Sequence, residues 1–271
     1  MYQKQNLHTH CTYCDGKDTP EEMIEAALLL GFDSLGFSSH SHHPYLKTTR
    51  INAESEAAYL KEITSLKEKY KDKIDIFLGI EYEICSEHKI DGLDYMIGAA
   101  HYVNTLEGFK TFDVGAEGTK SFIDKYFGGD GLKFTKAYYE TVATIPERGK
   151  FDILAHFDLA VKNNETLNFV DTTSPEYKKY AIEAIDALVG KIPFFEVNTG
   201  AISRGYRTIP YPELHLLREF RERGFGAVIT SDCHNKNYLD CHFDEARELL
   251  LEAGFKSKFI LTKNGFEETA I

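Results

Sequence analysis

A chain of 271 residues with a hydrophobic fraction of 42% can bury a large core, which excludes disorder and suits one α/β barrel of roughly 250 residues. Its formal net charge of -12 disfavours a polyanionic partner such as duplex DNA, whose non-specific binding needs a basic surface. No Pro/Gly/Ser-rich linker divides it, so a single domain over 1–271 is expected.

In chain order, Met1-Tyr2-Gln3-Lys4-Gln5 lacks the apolar core of a signal peptide. Nowhere does a run of ~18 apolar residues suggest a membrane helix, so a cytoplasmic protein without a membrane partner is expected. Leu7 to His10 reads as the first strand. Side chains two apart share a face of an extended segment, so His8 and His10 stand side by side, with Asp15 just behind. Alone, that pair fits a surface or core role as well as metal binding. Cys11 and Cys14 form a C-x-x-C with no second copy. With Cys85, Cys233 and Cys241 they make five, an odd count that fits reduced thiols rather than a disulfide framework or zinc ribbon.

Thr19-Pro20-Glu21-Glu22 is an N-cap, a first-turn proline and a Glu three residues on, opening a helix that stops at Gly31. Asp33 to Phe37 is a short apolar strand ending in Ser38-Ser39-His40. A helix over Ala53 to Tyr70 leads to a strand from Ile74 that finishes Gly79-Ile80-Glu81-Tyr82-Glu83. Asp94 to Ala100 ends at His101. Residues 103–131, rich in Gly and aromatics, read as a long loop on a barrel rim. A helix over Phe134 to Ile145 precedes Phe151 to Ala155, which ends at His156. Ser174-Pro175 opens a further helix, and Pro193 to Asn198 is a strand running into the loop Thr199 to Pro212. The helix Glu213 to Arg223 leads to Gly226 to Thr230, followed by Ser231-Asp232-Cys233-His234. The helix Phe243 to Ala253 and a strand at Lys258 to Leu261 end the series. Repeated strand and helix units with apolar strands are the pattern of a buried parallel sheet. Seven or eight such strands indicate a barrel, with an open doubly wound sheet as the alternative.

The position of the polar residues carries the functional reading. In parallel β/α folds the working face lies at the carboxyl ends of the strands. His8, His10, His40, Glu81, His101, His156, Asp232 and His234 all fall at or just past such ends. Closing the strands into a barrel aims them at one place, where imidazole and carboxylate together suit zinc, iron or manganese.

The series His8-Thr9-His10, Asp15-Gly16, Ser39-His40, Gly79-Ile80-Glu81, His101, Ala155-His156 and Ser231-Asp232-Cys233-His234 resembles the PHP (polymerase and histidinol phosphatase) superfamily along essentially the whole chain. The length and the segment after His101 are similar to its histidinol-phosphate phosphatase branch. This resemblance implies a distorted (β/α)7 barrel holding two to three divalent ions. It implies His8, His10, Glu81 and Asp232 on one metal, and Glu81, His101 and His156 on a second. Asp15, with Asp18 close by, joins His40 and His234 on a third.

Phosphate monoesters hydrolyse extremely slowly unaided, and metals both neutralise the phosphoryl oxygens and lower the pKa of bound water. The expected reaction is therefore attack of a metal-bound hydroxide on a small-molecule phosphate monoester, with L-histidinol phosphate foremost. A phosphodiesterase or nuclease, a protein-tyrosine phosphatase and a non-catalytic metal module are the rivals. The strand-end loop Ser203-Arg204-Gly205-Tyr206-Arg207 offers forked guanidinium groups to phosphate, Arg204 before Arg207. His42 and His43 are expected at the entrance, His42 as a possible proton donor as readily as a plain loop histidine. Glu83, by alternation with Glu81, is expected either in the pocket or at a solvated rim. Asp158 and Glu196 are candidate acceptors behind the ligands. His88, His215 and His242 read as surface or structural, and Cys233 as packing.

Overall fold

A computed structural model describes residues 3–45 and 52–271. Four strands, β1 (Gln5–Asn6), β2 (Ser34–Phe37), β3 (Asp75–Glu83) and β4 (Tyr95–Ala99), pair in parallel in that order. Helix α1 (Pro20–Leu29) starts as its capping box requires: Glu22 N–H donates to Thr19 Oγ1, and Thr19 N–H donates to Glu22 Oε2. Helix α2 (Ala53–Tyr70) joins β2 to β3 through an Asn52 cap.

After β4 the chain leaves the sheet. The antiparallel hairpin β5 (Tyr102–Thr105) and β6 (Gly108–Thr111) is followed by α3 (Ala116–Phe127) and α4 (Gly131–Val142). The loop expected over 103–131 is therefore an ordered insertion. Its aromatics are core, with Phe112 and Phe122 packed on Phe134, and its glycines are stops, with Gly128 ending α3 at φ 64°.

Strands β7 (Ile153–Leu154), β8 (Phe194–Asn198) and β9 (Gly226–Thr230) complete a seven-stranded parallel sheet in the order β1-β2-β3-β4-β7-β8-β9. Helices α5 (Asn164–Leu167), α6 (Pro175–Leu188), α7 (Gly200–Ser203), α8 (Leu214–Glu222) and α9 (Phe243–Ala253) occupy the later connections. The two edges meet just beyond β1 and β9, where Thr9 and Cys233 form a parallel bridge. There His10 N–H donates to Cys233 O at 2.9 Å, and Cys233 N–H to His8 O at 3.3 Å. Asn6 Nδ2 donates to Ser231 Oγ across the same seam at 2.6 Å. The fold is a distorted (β/α)7 barrel rather than an open doubly wound sheet.

The strand at Lys258 to Leu261 does not join the barrel. It belongs to β10 (Ser257–Thr262), which pairs antiparallel with β11 (Gly265–Ala270) and closes the base. Leu261 packs with Leu7, Phe77, Tyr95, Ile97 and Val228 inside the barrel. The Tyr95 ring fills this interior, and its hydroxyl donates to Leu7 O. Space for the ring comes from Gly36 and Gly79, where an added Cβ would lie 2.4 Å from Tyr95 atoms. Among the described residues, no helix is long and apolar enough to cross a membrane.

Candidate metal centre

The polar residues gather above Tyr95, at the carboxyl ends of the strands. β1 runs on into His8 and His10, whose ring centroids are 5.1 Å apart. His10 Nε2 lies 3.2 Å from Asp232 Oδ1 and 3.6 Å from Glu81 Oε2, and His8 Nε2 lies 3.5 Å from Glu81 Oε1. Both Nε2 atoms are buried without a hydrogen-bond partner. Two orphaned imidazole nitrogens facing shared carboxylates are the environment a cation would relieve.

Side-chain atoms able to hold a metal form three groups: His8, His10 and Asp232; His40, Glu81 and His101; and His10, Asp15, His40 and His234. His156 joins the middle group, with Nε2 3.1 Å from Glu81 Oε1. His40 stands between two groups, its Nδ1 2.6 Å from Glu81 Oε2 and its Nε2 3.4 Å from Asp15 Oδ1. His234 Nε2 lies 3.3 Å from the same Asp15 oxygen. Asp18 is turned away, accepting Lys236 N–H at 2.8 Å. Mixed imidazole and carboxylate donors fit zinc, iron or manganese.

Carboxylates behind the cluster fix the rings. Glu83 accepts from His101 Nδ1 at 2.7 Å and from His101 N–H at 3.0 Å. Glu196 takes His8 Nδ1 at 2.8 Å, His156 N–H at 2.7 Å and Thr230 Oγ1 at 2.8 Å. On the neutral rings that a metal would bind, donation from Nδ1 would leave the Nε2 lone pairs of His8 and His101 aimed at the centre. His10 Nδ1 has Cys14 Sγ at 3.4 Å.

Asp232 sits at φ 45°, a left-handed conformation that costs an aspartate on the order of 1–3 kcal/mol. Arg204 holds it there, NH2 donating to Asp232 Oδ2 at 2.9 Å and NH1 to Asp232 O at 2.8 Å. Gly200 permits this approach, since a Cβ there would lie 3.0 Å from both Arg204 NH2 and Asp232 Cβ.

Burial opposes charge on Glu81, Asp232 and His8, yet neighbouring charges outweigh it at all three. It would raise Glu81 and Asp232, but His101 and His8 around Glu81, and Arg204 and His8 around Asp232, hold both well below the carboxylate range. Burial would lower His8, but Glu196, Asp232 and Glu81 push it well above its ordinary value. His10 falls to about 4, through burial first and then His234. That favours the neutral imidazole a metal requires.

Several expected substrate contacts lie elsewhere. Arg207 is buried, stacked 4.6 Å over the Tyr211 ring and paired with Asp158 at 3.2 Å and Glu213 at 3.3 Å. It braces the loop, and Asp158 serves it rather than a ligand. Ser203 Oγ donates to Gly200 O within α7 at 2.9 Å. His42 lines a surface depression with Glu56, Glu87 and His88, separate from the cleft over the cluster. His43 is buried against Tyr102, and Glu83 is spent on His101. Cys233 is buried as expected, while His88, His215 and His242 pair with Glu56, Glu213 and Glu245.

A cleft of ≈ 210 Å³ opens above the cluster, with Asp15, His40, His101, His156, Asp232 and His234 on its floor. Its walls are Arg204, Asp113, Leu159, Lys162 and Tyr206. Of these, sequence reasoning proposed Arg204 as a contact. Asp113 comes from the insertion, and Lys162 stands six residues past His156, a strand-end spacing that could have been weighed.

A parallel barrel with a multi-histidine, multi-carboxylate centre at its carboxyl end has the architecture of a metal-dependent hydrolase. The PHP domain family matches residues 6–200, and the chain belongs to it. It is 28% identical over 260 residues to a Deinococcus radiodurans protein named probable histidinol-phosphatase, covering 92% of each chain. With the histidinol-phosphatase of Bacillus subtilis it shares 22% identity over 253 residues, 86% of this chain and 94% of that one. The fold also matches the histidinol phosphate phosphatase of Lactococcus lactis, solved with zinc, L-histidinol and phosphate. There the TM-score is 0.72 at 18% identity, covering 98% of this chain and 99% of the other.

Proposed function

We propose that the protein is a metal-dependent phosphatase that hydrolyses L-histidinol phosphate to L-histidinol and phosphate, a cytoplasmic step of histidine biosynthesis. The observation that carries this reading is the convergence of three ligand groups on the floor of one small cleft. Relatives named histidinol-phosphatase that align along nearly the whole chain support the substrate.

Two to three divalent ions, zinc, iron or manganese, would be held by this chain. His8, His10, Asp232 and Glu81 would hold one, Glu81, His101 and His156 another, and Asp15, His40 and His234 a third. Bound there, such ions would neutralise phosphoryl oxygens and lower the pKa of water at neutral pH. The remaining work falls to the protein. Glu83 and Glu196 keep the imidazole tautomers, and Arg204 holds Asp232 in its strained conformation while its half-buried guanidinium faces the cleft. The closed floor excludes bulk water from the ligand set, with His8, His10 and Glu81 all buried.

Phosphate release from the metal-loaded protein tests this, against L-histidinol phosphate, p-nitrophenyl phosphate, phosphotyrosine peptides and oligonucleotides. L-Histidinol phosphate should give the highest kcat/KM. Exclusive turnover of oligonucleotides or phosphotyrosine peptides would replace this reading with another phosphoesterase activity.

A further inference from the structure

Resting on the phosphatase reading, we infer that Asp113 is a specificity-determining residue that selects phosphate monoesters whose leaving group carries a positive charge. The Asp113 carboxylate lines the same cleft as the metal ligands His101 and His156. A phosphate dianion on the floor would be repelled by an anion in the wall unless a cation meets that anion, either Lys162 or one that the substrate carries.

The resting structure already shows the kind of partner Asp113 accepts. Lys162 Nζ lies 2.6 Å from Asp113 Oδ1, with the two side chains 12% and 21% exposed. Burial would raise the Asp113 carboxyl, but Lys162 outweighs it, aided by His101 and His156, so the group stays ionised. The Lys162 ammonium also lies 4.1 Å over the Tyr206 ring. A substrate ammonium or imidazolium arriving on this wall meets a carboxylate and an aromatic face that already hold one cation. As it engages Asp113, Lys162 is freed to pair with the incoming phosphate.

A purely structural role for the pair is less economical. Asn163, the next residue, already ties this loop to the insertion by donating to Val114 O at 2.9 Å and Thr119 Oγ1 at 2.8 Å. Asn163, Val114 and Thr119 are not among the residues lining the cleft. Leu159, on the same wall, gives the apolar body of a leaving group a surface to pack on.

The test compares Asp113→Asn with the unaltered enzyme, both metal-loaded, on two substrate pairs. One is L-histidinol phosphate against p-nitrophenyl phosphate, and the other is O-phosphoethanolamine against ethyl phosphate. The variant should lose about 10- to 100-fold in kcat/KM on the cationic member, mainly through KM, as expected for a charged hydrogen bond. On the neutral-tailed member it should be unchanged or improved. Equal losses on both members, or no loss on either, would overturn the inference. An unaltered enzyme inactive on L-histidinol phosphate, yet preferring O-phosphoethanolamine through Asp113, would overturn the histidinol reading and leave this one standing. Inactivity on all monoesters would overturn both. Metal content and thermal midpoint, measured alongside, should match between the two proteins, and Asp113→Glu should restore part of the cationic preference.

Discussion

The two ends of the barrel solve opposite problems with the same strands. At the carboxyl end, His8, His10, Glu81 and Asp232 bury charge and orphaned nitrogens, an arrangement that costs stability and that bound cations would relieve. At the amino end, Tyr95 fills the space that Gly36 and Gly79 leave, and the β10–β11 hairpin seals it, with Gln5 Nε2 donating to Leu261 O at 2.8 Å. Function is concentrated where packing is sacrificed, and the base supplies the rigidity that keeps the ligand set in place.

The largest separation of the two ends is expected from His8→Ala. Removing a ligand should lower phosphatase turnover and bound metal by more than the ~100-fold typical of an outer partner. The apo protein should remain folded by circular dichroism. Full activity with intact metal content would remove His8 from the centre. At the base, Gly79→Ala should do the reverse, destabilising by about 3 kcal/mol through overpacking against Tyr95. Denaturant unfolding measures it, and per-molecule activity of the folded fraction should hold. Pairing it with Tyr95→Leu should give a total loss smaller than the sum of the single losses, since both changes act on one space. Strict additivity would show that the clash is relieved elsewhere.

Glu83→Gln probes the boundary between the ends. Glu83 continues the β3 strand but spends its carboxylate on His101. Loss of its charge should weaken metal affinity about 10- to 100-fold, read by chelator competition, with little change in thermal midpoint. An unaltered affinity would make Glu83 a packing group.

How far these features were legible in the chain follows the same division. The gathering of His, Glu and Asp at the strand ends could be read because β/α order and apolar strands fix which end of each strand faces the cleft, and Asp232 and His234 follow β9 directly. Arg207 could not be read as buried, because Asp158 comes from another strand-end loop and Glu213 reaches it only through the fold of the loop between them. The insertion looked like a loop because its glycines and aromatics were counted together, though the first end helices and the second fill a core. Lys162 could have been weighed from its place past His156, but its pairing with Asp113 was invisible for a related reason: only folding of the insertion brings them within 2.6 Å. Local patterns report backbone periodicity, whereas such pairings report tertiary neighbours.

The smallest expected effect belongs to the base. Lys258 on β10 is 2% exposed, and its ammonium donates to Gln3 O at 2.9 Å. Burial, with Arg247 nearby, lowers its pKa to about 8, against about 10.4 for an unfolded lysine. Between those values the unfolded chain binds more protons than the folded one, so stability should rise as pH increases from about 8 to 10.4. Below pH 8 both states are protonated, and the full cost of burying the charge is present. Lys258→Met removes that cost, and the Gln3 carbonyl it frees is on an exposed residue that water can serve. The variant should therefore gain stability relative to the parent most at pH 7, with the gain shrinking toward pH 10.4 in urea unfolding. A gain independent of pH would assign the effect to packing instead of charge. Because Lys258 is at the amino end of the barrel, kcat/KM should be unaffected. A change in activity would mean that the base does more than hold the cluster still.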